Sequence, residues 1–244
     1  MFLTTEKRSP PVSVSDVVAL PFRLGSAVRG RRFFHPAGVL AKGHAERVAP
    51  AQCGLPFPSG DVVVRWSKAV GTPGSLPDFI GLAIRIADPQ PRAGLWDILL
   101  VSAGSGVVTR AVALRPVASW TGQTMTNLMP LRYRERPWWL RARIDTEIGG
   151  TGLSLTDVAG RIQSGGIDVT LDQAGGRGDF TPLARLHVSD LVDAGRADVS
   201  FDPVLNTAPG VTLYPGWLAD LRGRAYQRSR EGRFSGLFAA RRES

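Results

Sequence analysis

Short runs rich in Val, Ile and Leu recur along the chain, several alternating apolar and polar at every second position, with Gly, Pro or Asp between them. They are "DVVVRWS" (61–67), "FIGLAIRIAD" (79–88), "LWDILLVSA" (95–103), "GVVTRAVAL" (106–114), "GIDVTLDQ" (166–173), "LARLHVSDLV" (183–192) and "RADVSFDP" (196–203). Alternation with period two puts successive side chains on opposite faces, as in a strand with one buried face. Many such strands at this spacing predict a barrel or sandwich. No fixed-period repeat interrupts the pattern.

Three segments depart from it. Residues 119–144, "SWTGQTMTNLMPLRYRERPWWLRARI", are more aromatic and basic, and predict a helix or extended loop before a further strand. Residues 1–30 combine Pro, Ser and basic residues with a modest apolar run, and predict an N-terminal arm or short helix ahead of a body over 31–244. At the far end, Trp217, Leu218, Leu221, Ala225 and Tyr226 recur at helical spacing, so a C-terminal helix packing one face is expected. The glycine-rich "GGTG" (149–152) and "AGGRGD" (174–179) read as loops.

Composition narrows the class. The 244 residues are 43% hydrophobic and 21% charged, and no apolar run approaches the ~20 residues of a bilayer span. The first residues do not read as a secretory signal, and one cysteine, Cys53, allows no intrachain disulfide, so a cytoplasmic protein is expected. The net charge is +9, from 30 Lys and Arg against 21 Asp and Glu, which points to anionic partners. Nucleic acid is one class, and carboxylates gripped in the guanidinium fork are another. Walker, HExxH, CxxC and GxSxG motifs are absent, which leaves common nucleotide, zinc and serine-hydrolase chemistry without support.

Some residue types invite a site and receive a plain reading instead. His44 and His187 are expected as surface or hydrogen-bonded residues on strands, Trp138 and Trp139 as core or pocket wall, and Cys53 as a thiol in a turn. Asp145 and Glu147 need not form a carboxylate pair. Arg222 and Tyr226 carry more chemistry, because four residues apart they share one helical face. A guanidinium there favours the phenolate, which can ligate ferric iron.

From this point the sequence resembles the haem-dependent catalase superfamily, through stretches that agree in order. "RFFH" (32–35) with "PAGVLAKG" (36–43) looks like the strand carrying the distal histidine, and "VVVRWSKAVG" (62–71) like the segment with a propionate arginine and a serine beside that histidine. "PDFIGLAIRI" (77–86) resembles the DxxGxAxR strand through Asp78, Gly81, Ala83 and Arg85, and "LWDILLV" (95–101) the next strand. "SFDPVLNTAPGV" (200–211) and "LRGRAYQRSREGR" (221–233) resemble the approach to the proximal helix and that helix.

The resemblance implies an α+β fold, an antiparallel β-barrel of catalase-like type with flanking helices and a C-terminal proximal helix. It implies haem b, with Tyr226 as iron ligand, Arg222 keeping it ionised, and Arg32, Arg65 and Arg233 on the propionates. His35 would move the peroxide proton and Ser67 would orient His35. Partners implied are peroxide and a small organic substrate, without nucleic acid and with a homodimer left open. One departure changes the expected activity. Where the family has asparagine beside the distal histidine, aligning Trp96 and Asp97 leaves Val101 and Ser102. That argues against rapid hydrogen peroxide disproportionation and for a peroxidase, peroxygenase or hydroperoxide-rearranging enzyme, with a non-catalytic haem or small-anion binder as the alternative.

Overall fold

The computed structural model describes residues 38–69, 71–87, 94–103, 114–150, 152–193 and 199–214, which all lie in the unit His35–Ser244. Ten strands are present among them: β1 (Gly38–Arg47), β2 (Gly60–Lys68), β3 (Ile80–Ala87), β4 (Leu95–Ser102), β5 (Thr124–Thr126), β6 (Leu131–Tyr133), β7 (Arg136–Ile144), β8 (Ile167–Gly175), β9 (Thr181–Leu191) and β10 (Thr212–Leu213). One helix, α1 (Leu155–Gly165), precedes β8. The strands are joined in the order β7-β5-β4-β3-β2-β1-β9-β8, and β8 pairs back onto β7. The result is a closed, eight-stranded antiparallel barrel, with β6 and β10 extending the edge of β7.

The alternation in the sequence becomes inside and outside. Val62, Val64 and Trp66 on β2, Ile80, Leu82, Ile84 and Ile86 on β3, and Ile98 and Leu100 on β4 are at most 3% exposed and fill the interior. Leu140, Ala142 and Ile144 of β7 and Val169 and Leu171 of β8 complete it from the other side. Each fully buried aliphatic side chain contributes roughly 1.5–3 kcal/mol, so the lumen is a packed core.

Both ends of the barrel are filled from the chain itself. The loop after β1 carries Leu55 and Phe57 inward, and Arg47 folds it by donating to the carbonyls of Ala49, Pro50, Cys53, Leu55 and Phe57 at 2.7–3.1 Å. Gln173 Oε1 accepts the Leu55 N–H at 2.8 Å and ties that loop to β8. At the other end α1 buries Val158 and Ile162, four residues apart, and the Trp120 indole donates to Ser154 O at 3.2 Å. Ser154 caps α1 by accepting from Asp157 N, and Gly166, at φ 77°, closes it.

Three expectations need correction. Residues 119–144 hold three strands, β5, β6 and β7, where a helix or loop preceded one; the adjacent Trp138 and Trp139 fall on opposite faces of β7, Trp138 half-buried and Trp139 9% exposed. The helix α1 was not anticipated, because its apolar face is only two fully buried residues wide. The described part of "RADVSFDP", residues 199–203, is not a strand. The reading of 174–179 as a loop holds except at Ala174 and Gly175, which end β8, and residues 149, 150 and 152 lie outside the strands and helix. The N-terminal arm, "GVVTRAVAL" up to residue 113, and the C-terminal helix lie outside the described residues.

β1 and β9 approach closely at an irregularity between Lys42 and Gly43. A Cβ on Gly43 would collide with the His187 carbonyl oxygen and lie 2.7 Å from Val188 Cα, both backbone atoms that cannot swing aside. Gly43→Ala is therefore expected to destabilise the barrel by about 1–3 kcal/mol. Denaturant unfolding measures this, and an unchanged midpoint would show that the two strands are not packed this tightly.

Candidate functional site

With the lumen filled, chemistry is left to the outside of the barrel. The outward positions are Val63, Arg65 and Ser67 on β2, Gly81, Ala83 and Arg85 on β3, and Asp97, Leu99 and Val101 on β4. Register arranges them in rows. Ser67 lies between Gly38 and Gly81, and the row continues through Val101 to Thr126 and Arg141; Arg65 lies between Leu40 and Ala83, then Leu99. In water the outside of an antiparallel barrel is ordinarily polar. Here it mixes small or apolar residues with Arg65, Ser67, Arg85 and Asp97, and the outward residues of β2 and β3 from Val63 to Arg85 are half-buried, whereas Arg185, His187 and Ser189 on β9 are exposed.

The missing side chains shape this face. A Cβ on Gly81 would lie 2.9 Å from Ser67 Oγ, and one on Gly38 would lie 2.6 Å from Arg65 Nε. Arg65 and Ser67 thus lie where larger neighbours would displace them. They form a shallow cradle with one cation and one hydroxyl beside Gly38, Gly81 and Ala83, a shape suited to a flat, anionic ligand.

Thr126 is fully buried at 0% exposure, and its Oγ1 has no hydrogen-bond partner. Its neighbours across the strands explain why. Val101 is apolar, and Arg141 is held by Asp172, with Nε and Nη2 3.1 and 2.6 Å from Asp172 Oδ2. Leaving a buried hydroxyl unsatisfied costs about 1–3 kcal/mol. The other orphan among the described residues, Trp66 Nε1, belongs to the filled interior. Ser102 is turned away from the face, accepting the Ile80 N–H at 3.1 Å and donating to Arg115 O at 2.8 Å.

Below these rows an ion pair anchors the chain that follows the barrel. Arg85 Nε and Nη2 each donate to the Asp97 carboxylate at 2.7 Å, and the Asp97 side chain is 0% exposed. Asp97 Oδ2 also accepts from Asp202 N and Asn206 Nδ2 at 2.7 Å, and Arg85 donates to Ser200 O. The guanidinium stacks 5.0 Å from the centre of the Phe201 ring. The hydrogen bond to Asp97 raises the Arg85 pKa against the opposing effect of burial, so Arg85 stays charged. A raised cationic pKa keeps its stabilisation below the unfolded value and loses it only as pH climbs through the folded one, far into alkali. Residues 200–206 are thereby fixed on the outside of β3 and β4.

Of the predicted site residues, Arg65 and Ser67 are brought together on this face; Arg32, His35, Arg222, Tyr226 and Arg233 lie outside the described residues. The sequence reading missed Thr126, whose strand had been taken for helix or loop, and the Asp97 anchor, whose partners are 12 to 109 residues away. His44 and His187 are exposed on strands, as expected, with Nδ1 3.3 Å from Asp61 Oδ1 and 2.7 Å from Asp168 Oδ1. An open groove of about 490 Å³ runs past these histidines, but no unpartnered buried group lines it. Among the described residues no cluster of three or more His, Cys, Asp or Glu is placed to hold a metal ion, and no helix is long and apolar enough to cross a membrane.

No family model and no curated protein matches the sequence. Among solved structures the chain is similar to a fungal catalase, with a TM-score of 0.57 at 14% identity, over 91% of this chain and 64% of the catalase. The chain therefore spans less than two thirds of that enzyme's length. The likeness shows a catalase-like barrel fold.

The anchor makes a prediction about stability. Asp97→Ala leaves Arg85 half-buried without its carboxylate and is expected to cost about 3–5 kcal/mol. Chemical denaturation reads the loss, and limited proteolysis should cut faster within residues 200–206. A stable variant with that segment still protected would contradict the anchoring role.

Proposed function

We propose that the chain is a haem-dependent oxidoreductase acting with hydrogen peroxide or an organic hydroperoxide. The observation that carries this reading is the cradle on the half-buried outer face of β2 and β3. Arg65 and Ser67 stand there beside residues too small to obstruct a planar ligand, on a barrel of catalase-like fold. The described residues fit haem: Gly38, Gly81 and Ala83 leave room for a macrocycle against β2 and β3, and a half-buried guanidinium suits a propionate.

Haem b, when bound, supplies an iron at which the O–O bond of a peroxide is cleaved. The protein's part is to hold, orient and move protons. Arg65, with Arg32 and Arg233, neutralises the propionates. Tyr226 ligates the iron as phenolate, and Arg222 stabilises that ionised form. His35 takes the proton from the attacking peroxide oxygen and returns it to the leaving one, and Ser67 orients the His35 ring. The Asp97 anchor holds residues 200–206, the chain ahead of the tyrosine, against the barrel.

A second reading, a haem or small-anion binding protein without turnover, draws on one observation. The outward residue of β4 at the end of the site is Val101, and the adjacent Ser102 spends its hydroxyl inside. Turnover separates the two readings.

Tyr226→Phe is expected to abolish or greatly weaken haem retention, followed by absorption of the purified variant; an unaltered haem spectrum would remove Tyr226 as ligand. His35→Ala should keep haem and lose about 10²–10⁴-fold in peroxide turnover. Equal turnover with and without the imidazole would reject His35 as the proton carrier, and no peroxidase turnover in haem-loaded wild-type protein would favour the binding role.

A further inference from the structure

His44 of β1 and His187 of β9 are directly opposed across their strand pair, and each has a carboxylate opposite it on its other side, Asp61 on β2 and Asp168 on β8. The outside of the barrel thus carries a row that runs Asp61, His44, His187, Asp168, and none of the four belongs to the cradle around Arg65 and Ser67. The two Nδ1 atoms lie 3.3 Å from Asp61 Oδ1 and 2.7 Å from Asp168 Oδ1. A carboxylate accepts from a ring N–H, so in the neutral imidazoles the proton sits on Nδ1 and the lone pair on Nε2. Among the described residues no group hydrogen-bonds either Nε2. Glycine at 166 leaves the second of them uncovered, since a Cβ there would lie 2.8 Å from His187 Nε2.

An imidazole held at Nδ1 by a carboxylate is the arrangement that orients histidines on metal ions and makes Nε2 a stronger ligand. Opposed residues of an antiparallel pair have Cβ atoms about 4.5–5.5 Å apart, and two nitrogens at ~2.0–2.1 Å from one tetrahedral ion are roughly 3.3 Å apart, so one ion spans the pair. The surrounding charge suits a divalent cation. Glu46 is opposed by Arg185, and Asp145 is paired with Arg143 at 2.7 Å, which leaves the Asp61 and Asp168 carboxylates unbalanced beside neutral imidazoles, on a chain whose net charge is +9. The adjoining groove of about 490 Å³ admits the ion with its water.

We propose that His44 and His187 form a binding site for one divalent transition-metal ion of the zinc and copper type, which imidazole favours, ligated through both Nε2 atoms. Asp61 and Asp168 are positioning residues, and water completes the coordination shell. Bound there, the ion clips β1 to β9. The proposal is independent of the haem reading.

The test titrates Zn²⁺ into untagged, haem-free, full-length protein by calorimetry, with Mg²⁺ as the control, and reads the unfolding temperature with each metal. One Zn²⁺ per chain should bind and raise that temperature, because an ion that binds only the folded chain stabilises it, whereas Mg²⁺, which prefers oxygen ligands, should do neither. His44→Ala and His187→Ala, at exposed positions, should fold as wild type and each lose about tenfold or more in Zn²⁺ affinity. Asp168→Ala keeps both ligands and should bind about tenfold more weakly; an unaltered affinity there would overturn its positioning role. No Zn²⁺ binding by wild type would overturn the site. So would wild-type affinity in either histidine variant, which would put the ion on one imidazole or elsewhere, and so would equal binding of Mg²⁺, which would show attraction to the carboxylates alone.

Discussion

Pairing of β7 with β8 closes the sheet, and the outward placement of Arg65, Ser67, Asp97 and Thr126 follows from that closure. In a closed eight-stranded barrel the inward positions must fill a narrow lumen, and here they do so with Val, Ile, Leu and Trp66. A loop folded by Arg47 and the helix α1 cover its ends. Nothing the size of a cofactor fits inside. The residues of the opposite parity therefore carry whatever chemistry the barrel performs, and on β2–β4 these are Gly81, Ala83 and three aliphatics around Arg65, Ser67, Arg85 and Asp97, mostly half-buried.

Two polar features on that face contrast. Asp97 is saturated, accepting from Arg85, Asp202 and Asn206, and a buried carboxylate so fully bonded acts as an anchor for the chain passing over the barrel. Thr126 is unsatisfied. Fold stability accounts for the first group and gives no reason for the second.

The strands over 61–67, 79–87 and 95–102 were legible as short runs rich in Val, Ile and Leu, and the period of two along a strand already put Arg65 and Ser67, two residues apart, on one face. Residues 119–144 were not, because β5 is only three residues long and cannot show a period, while β6 and β7 form a hairpin turned by Arg134 and Glu135 at positive φ without Gly or Asn. The start of α1 did carry a signal, Ser154 with Asp157 three residues on, masked by the preceding glycines. Thr126 could not be found from sequence, since its meaning depends on Val101 and Arg141, which register brings to its sides.

If this outer face and its flanking residues hold haem, as proposed, titration of haem into the purified wild-type protein should saturate at one haem per chain with a ferric Soret band in absorption, and with lower affinity when Arg65 is replaced by Leu. A spectrum indistinguishable from free haem at every ratio would contradict it.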